Sequence, residues 1–368
     1  MRTCLKIGVI GCGGVAQMMH LPFLANRPDL FQIEAVCDVD PVALAAVAAL
    51  YHVPQRFADY RDLLALPLDA VLILSADPHS PQVIAAAQAG KHILVEKPLA
   101  VSLQELDAIG AAVQTAGVQL MVANMKRYDP AYAEAQRLLA GRTDLRHAQI
   151  TVWHPDDAAY RTHYTLTPAP LQLDRVALPD EMGVCERTQH GAIADLIDLA
   201  LGPDRSAVEQ RIGYWILASS IVHQINALRG LLGEPEEVLS THIWYDGRGV
   251  QSTLRYSHQL LVTLTWLYLP GIKHYQEKYL FLAPEMRLEL EFPSPYLRHF
   301  PTGLRIEGME RGMAYAKDVV VSYAEAFHEE LLHFHHCVTT GATPRTGIDE
   351  ARGDTRLAIA MAKAFRSR

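Results

Sequence analysis

Apolar residues in the first third of the chain fall into short blocks separated by polar or glycine-bearing turns. Residues 5–10 (Leu-Lys-Ile-Gly-Val-Ile), 33–37, 69–74, 92–95 and 120–123 are such blocks, the pattern of strands buried on both faces. The segments between them read as helices. Val15 to Asn26 is one, and Ala43 to Tyr51, rich in alanine, is a second. Pro81 to Ala89 is closed by Gly90, and Ser102 to Thr115 opens with a Ser102/Glu105 capping box. Strand and helix alternate at short spacing, so residues 1–123 predict a doubly wound parallel sheet of Rossmann type.

The rhythm changes after residue 123. Ala131 to Ala140 is helical, and His147 to Trp153 alternates like a half-buried strand. Residues 154–180 carry several prolines and few apolar runs, which predicts a loop or lid. Two helical stretches follow, 186–201 and 207–232. Alternating segments at 238–246, 249–258, 260–268, 275–283 and 286–292, joined by short turns such as Asp246-Gly247, predict antiparallel strands. The chain closes with helices over 323–337 and 348–366. Residues 124–368 therefore predict an α+β domain on a large, mostly antiparallel sheet, whose last helices can pack back on the first domain. On that sheet Leu261, Val262, Leu264 and Trp266 are candidates to face a second subunit.

Composition narrows the class. The chain has 368 residues, enough for two domains, and a formal net charge of -8. That balance predicts no nucleic-acid partner and no attraction to an anionic membrane. Five cysteines, none in a CxxC pair, argue against a disulfide framework or a thiolate zinc site and for a reducing compartment. No leader pattern and no uninterrupted apolar stretch of membrane length is seen, so a cytoplasmic protein is expected.

The candidate chemistry begins at Gly8-x-x-Gly11-x-Gly13-Gly14-x-Ala16, between the first strand and the first helix. Gly11 permits a tight turn, and Gly13 lets the backbone approach a pyrophosphate. Gly14 and Val15 belong to the same turn. Ala16 takes the position where helix and strand pack closely. Asp38 closes the second strand, where a carboxylate accepts hydrogen bonds from ribose hydroxyls; the plainer alternative is that it caps a turn. Asp40 follows, and no Arg or Lys is placed to meet a 2′-phosphate. NAD is therefore expected in preference to NADP.

The run from Ala89 through Glu96-Lys97-Pro98 to Ala100 resembles the signature of the glucose–fructose oxidoreductase, inositol dehydrogenase and rhizopine catabolism family, Gfo/Idh/MocA. Ile7 to Ala16, Asn124 to Tyr132 and Ala326 to Ala364 resemble it too. The resemblance implies an oxidoreductase acting on a hydroxyl or ketone of a sugar, polyol or related small molecule, and a homodimer or homotetramer. It implies that Lys97 contacts the reacting hydroxyl, that Glu96 belongs to the cofactor site, and that Pro98 follows a cis bond. It places His79, with Ser75 and Asp77, in the loop beside the cofactor. It also places Asn124, Arg127 and Tyr128 near nicotinamide or substrate. Arg127 is read equally as an anion anchor and as a tie between domains.

The family's second motif, an Asp, a His and a further Asp on one helix, matches Ser219, His223 and Asn226. His223 is the candidate general acid/base. Ser219 and Asn226 keep hydrogen-bonding capacity but lose the charge, and are expected to position substrate from the same helical face. The plain alternative for His223 is a core histidine. Two other functions compete with the dehydrogenase: a redox-neutral enzyme using tightly bound NAD, and a non-catalytic NAD-binding sensor. His333, His335 and His336 lack clean ligand spacing and predict no metal site. His154, Asp156 and Asp157 also look metal-like, but they begin the lid, where substrate contacts or plain solvation are expected; Tyr160, Arg161, His163 and Tyr164 in the lid are candidates for substrate specificity.

Overall fold

β1 (Leu5–Ile10) is buried along almost all of its length, as its unbroken apolar run requires of a central parallel strand. It is central in the computed structural model, which describes residues 4–76, 78–156, 161, 163–167, 184–202 and 207–366. β2 (Phe31–Cys37), β3 (Gln55–Phe57), β4 (Ala70–Ile73), β5 (His92–Glu96) and β6 (Leu120–Ala123) join it in a parallel sheet of order β3-β2-β1-β4-β5-β6. The strand order reverses between β1 and β4, and the carboxyl ends of strands at such a point are where ligands bind. α1 (Leu21–Ala25), α2 (Pro41–Leu50), α3 (Tyr60–Leu64), α4 (Ser80–Gln88) and α5 (Leu103–Ala116) connect the strands. α5 begins with the expected capping box and ends at Gly117, whose φ of 65° is the left-handed cap. β3 and α3 are too short to leave a periodic signal.

The second sheet has eight strands in the order β14-β13-β12-β11-β7-β10-β9-β8. They are β7 (His147–His154), β8 (Glu237–Trp244), β9 (Gly249–Arg255), β10 (Leu261–Tyr268), β11 (Gln276–Ala283), β12 (Met286–Phe292), β13 (Gly303–Glu310) and β14 (Met313–Val319). Every pairing is antiparallel except β10 with β7, so the mostly antiparallel expectation holds. The β13–β14 hairpin went unforeseen, because its strands are polar and half exposed. Its turn residues Arg311 and Gly312, both at positive φ, were the available signal. One expectation is corrected. Val262, Leu264 and Trp266 are buried and point inward, and only Leu261 is exposed, since alternate residues of a strand face opposite sides.

The helices of the second half are α6 (Pro130–Leu139), α7 (Val184–Gln189), α8 (Ala192–Leu201), α9 (Val208–Ser219), α10 (Val222–Leu232), α11 (Ala326–Thr340) and α12 (Ile348–Lys363). The expected 186–201 helix is two, parted at Gly191 with φ 78°. The expected 207–232 helix is also two. Ser220 (φ -112°, ψ -58°) breaks it, and the Ile221 N–H reaches back to the Ile216 carbonyl.

The chain forms two units. One gathers the described residues of Met1–Met125, Tyr164–Val176 and Phe327–Arg352, and the other the rest. Within the first, Thr346 covers the edge of β6. The Val122 N–H donates to its carbonyl at 2.7 Å, and its hydroxyl donates to the Val122 carbonyl at 2.6 Å.

Candidate active site

In the first unit, Gly11 has φ 100°, and a Cβ there would lie 2.5 Å from the Ser75 nitrogen. Only glycine fits where the loop after β1 crosses the end of β4. At Gly13 a Cβ would meet nothing within 4 Å among the described residues. Neither φ nor packing asks for glycine there, so the close approach of a ligand to the backbone is its remaining physical reason. Gly14 and Val15 begin the helix, which passes through a π-helical stretch over Ala16–His20 before α1. Such insertions recur at functional sites. Gln17 Nε2 donates to the Cys12 carbonyl at 2.7 Å, and its Oε1 accepts the Thr167 N–H at 3.0 Å, so one residue of the expected lid sits on the glycine turn.

Asp38 binds this turn from β2. Its Oδ2 accepts the Cys12 N–H at 2.6 Å and its Oδ1 accepts the Asp40 N–H at 2.9 Å. It is thus a turn cap, and each oxygen keeps a lone pair for a ribose hydroxyl. Burial, then the charge of Asp38, pushes the thiols of Cys12 and Cys37 up, Cys37 to about 12. The turn therefore carries no thiolate. Glycine turn, helix start and strand-end acid together fit a dinucleotide.

β5 delivers Glu96, Lys97 and Pro98 at its carboxyl end, and the Lys97–Pro98 bond is cis. Lys97 is half-buried. Glu96 faces inward instead. Its Oε1 meets His20 Nε2 at 2.8 Å and its Oε2 accepts the Lys97 N–H at 3.2 Å. Burial works to raise its pKa, but the His20 hydrogen bond and charge, with Lys97 and His79, more than offset that and hold it below the usual carboxylate range. Glu96 thus supports the backbone that carries Lys97. His79 lies 2.8 Å from the Pro98 carbonyl through Nδ1 and 2.8 Å from the Ser75 carbonyl through Nε2. It clamps two loops together. Ser75 donates to Gln82 at 2.6 Å. Asn124, at the end of β6, is buried, and its Oδ1 has no partner among the described residues, as suits an acceptor awaiting a ligand. Asp77, Asp157 and Tyr160 lie outside the described residues.

In the second unit, Lys126 is buried against Glu277 on β11, Nζ to Oε2 at 2.8 Å. Gln224 donates to Glu277 Oε1 at 2.8 Å, Tyr279 donates to the same oxygen at 3.2 Å, and the Tyr275 hydroxyl donates to Oε2. This network ties the 126–129 segment, β11 and α10 together. Arg127 donates to the Asn226 carbonyl at 3.4 Å, and a Cβ at Gly230 would strike its guanidinium. Arg127 thus packs against α10 within its own unit. Tyr128 is buried as well.

Ser219, His223 and Asn226 do not share one helix. Ser219 ends α9, and its hydroxyl donates back to the Trp215 carbonyl at 2.6 Å, a bond that competes with helix continuation. His223 and Asn226 remain together on α10. Between Ile221 and Arg229 every residue is buried except His223, which is half-buried. Glu277, Asp354 and Arg229 were missed as functional candidates. Glu277 alternates with inward Tyr279 and Phe281, and Asp354 lies on the buried face of α12; an acid at a core-facing position was the signal.

Among the described residues no group of three or more His, Cys, Asp or Glu could hold a metal. His333 accepts the Arg345 N–H at 3.1 Å and lies 3.4 Å from Cys337 Sγ. No described helix is long and apolar enough to cross a membrane.

Residues 5–124 match a family described as "Oxidoreductase family, NAD-binding Rossmann fold". Over this segment the chain is similar to the Gfo/Idh/MocA oxidoreductases. Among curated relatives, scyllo-inositol 2-dehydrogenase (NAD(+)) of Bacillus subtilis is 41% identical over 141 residues, 37% of this chain and 40% of the relative. D-xylose 1-dehydrogenase (NADP(+)) 2 of Haloferax volcanii is 35% identical over 138 residues, 37% of this chain and 42% of the relative. The chain thus matches about two fifths of each. The whole fold resembles KijD10, a 3-ketoreductase from Actinomadura kijaniata solved with NADP and TDP-benzene, with TM-score 0.72 over 99% of this chain and 98% of that one. At 20% identity this likeness speaks for the fold alone.

Proposed function

We propose that this protein is a Gfo/Idh/MocA-type dehydrogenase or ketoreductase that uses NAD and acts on a hydroxyl or ketone of a polyol or sugar. The observation that carries the reading is Lys97, presented half-buried at the carboxyl end of β5 by a Glu96 that is itself held by His20. When bound, a nicotinamide dinucleotide supplies hydride transfer. The chain's own residues do the rest. N–H groups of the glycine turn bind the pyrophosphate, and Asp38 accepts from the ribose hydroxyls. The carboxylate of Asp38 repels a 2′-phosphate, which favours NAD, although relatives are named for each cofactor. Lys97 Nζ donates to the reacting oxygen. In the other unit His223 keeps its expected role of general acid/base.

The inositol and xylose relatives are redox enzymes by name, so the redox-neutral and sensor alternatives draw no support from them. A cytoplasmic homo-oligomer completes the reading. Fluorescence titration with NADH and NADPH, then turnover with myo-inositol, scyllo-inositol and D-xylose, tests it. NADH is expected to bind more tightly, and Lys97→Ala to lower kcat by about 10²–10⁴-fold with NADH binding kept. Absence of binding to either dinucleotide would sink the reading.

A further inference from the structure

His223 and Asn226 stand three residues apart on α10, hence on one face. The Asn226 side chain is 1% exposed, and the two ends of its amide have different fates. Nδ2 donates to Oδ2 of Asp354 at 2.8 Å. Oδ1 is buried and has no partner among the described residues. The neighbours dictate this orientation. Asp354 pairs with Arg229 Nη1 at 2.5 Å, and the Arg229 Nε donates to Glu234 at 2.9 Å. A Cβ at Gly353 would collide with that guanidinium, so the backbone is shaped to admit it. A carboxylate only accepts, so only the amide nitrogen can face it. A buried acceptor left over in this way calls for a donor that arrives with a ligand.

We infer that Asp354 is a positioning residue, locking the Asn226 amide so that its oxygen, on the helical face that carries His223, is kept as a neutral acceptor for a substrate hydroxyl. This rests on the polyol or sugar reading above. Asn226 and Asp354 are a matched pair. An aspartate at 226 would set two carboxylates at hydrogen-bond distance, whereas here the one negative charge sits on α12 and is balanced by Arg229. The acid expected three residues after the histidine is displaced by one hydrogen bond, and a neutral acceptor takes its place on that face.

The test is an amide–acid exchange in the full chain: Asn226→Asp, Asp354→Asn, and both together. Each is assayed with NAD and whichever of myo-inositol, scyllo-inositol and D-xylose wild type turns over best. Each single variant is expected to lose about 10–100-fold in kcat/KM, chiefly through KM, with NADH affinity kept. The double exchange is expected within about threefold of wild type, since it rebuilds the pair with the acceptor outward. The kcat/KM of Asn226→Asp also gains a titration, because two facing carboxylates hold a proton between them, and the double exchange removes it. Thermal melting reports folding, and Asn226→Ser replaces Asn226→Asp if that chain does not fold. If wild type turns over but the singles match it, or the double is no better than the worse single, the role of Asp354 is overturned and the functional reading stands. If wild type turns over no polyol or sugar with either cofactor, the reading falls and this inference with it.

Discussion

Each unit of this protein buries an acid completely, and the two acids are treated in opposite ways. In the sheet unit, Glu277 accepts from Lys126, Gln224, Tyr275 and Tyr279. In the Rossmann unit, Glu330 on α11 is 0% exposed, and neither of its oxygens has a partner among the described residues. Burial, then the charge of Glu96, raises the Glu330 pKa well above its ordinary value. The difference teaches that burial alone says little about an acid. One is a charged hub that organises three elements, and the other is a neutral side chain enclosed by the core.

Removing the hub is the strongest way to break this contrast. Glu277→Ala strands the Lys126 ammonium in the interior and is expected to cost about 3–5 kcal/mol in denaturant unfolding. Lys126→Met combined with Glu277→Leu should cost much less than Glu277→Ala alone, because no uncompensated charge remains. Equal losses would show that the network matters for shape rather than charge.

At the other acid a smaller effect of opposite sign is expected. Glu330→Met removes unsatisfied polar atoms and should stabilise by about 1–2 kcal/mol at neutral pH. The pH dependence follows from the raised pKa. Folded Glu330 keeps its proton where the unfolded chain, titrating near about 4.3, has lost it. Its contribution is therefore fully present below that pH and declines as pH rises above it. Melting temperatures from pH 4 to 8 should fall less for Glu330→Met than for wild type.

Glu96 provides the smallest and reversed case. Its pKa is lowered, so its contribution is present above the unfolded value and lost as pH falls through the folded one. His20→Phe should remove that acid-side loss and flatten the melting curve below about pH 5.

The parts of the site that were legible in the sequence are local. Glycine turn, strand-end acid and the Glu96-Lys97-Pro98 run each sit within a few residues of the strand that presents them, so pattern and position agree. The parts that were not legible depend on distant partners. Asn226 gains its meaning from Asp354, 128 positions away, and Gln224 from Glu277, 53 away. The packing of Arg127 against Gly230 was not legible either, because that neighbour lies on another helix about a hundred positions away. The break at Ser220 was hidden because no Gly or Pro marks it between Tyr214 and Arg229, and the β13–β14 hairpin because its strands are largely polar and exposed.

The hydrogen bonds between Val122 and Thr346 set an order of events during synthesis. A ribosome adding about 5–20 residues per second needs roughly 10–45 s to travel from β6 to residue 346. Over that interval the nascent Rossmann sheet leaves its last strand uncovered, an open template for pairing with another chain. The Rossmann sheet is made first and finished last. A gene fragment ending near residue 125 would therefore yield a sheet with an unprotected border rather than a detachable module.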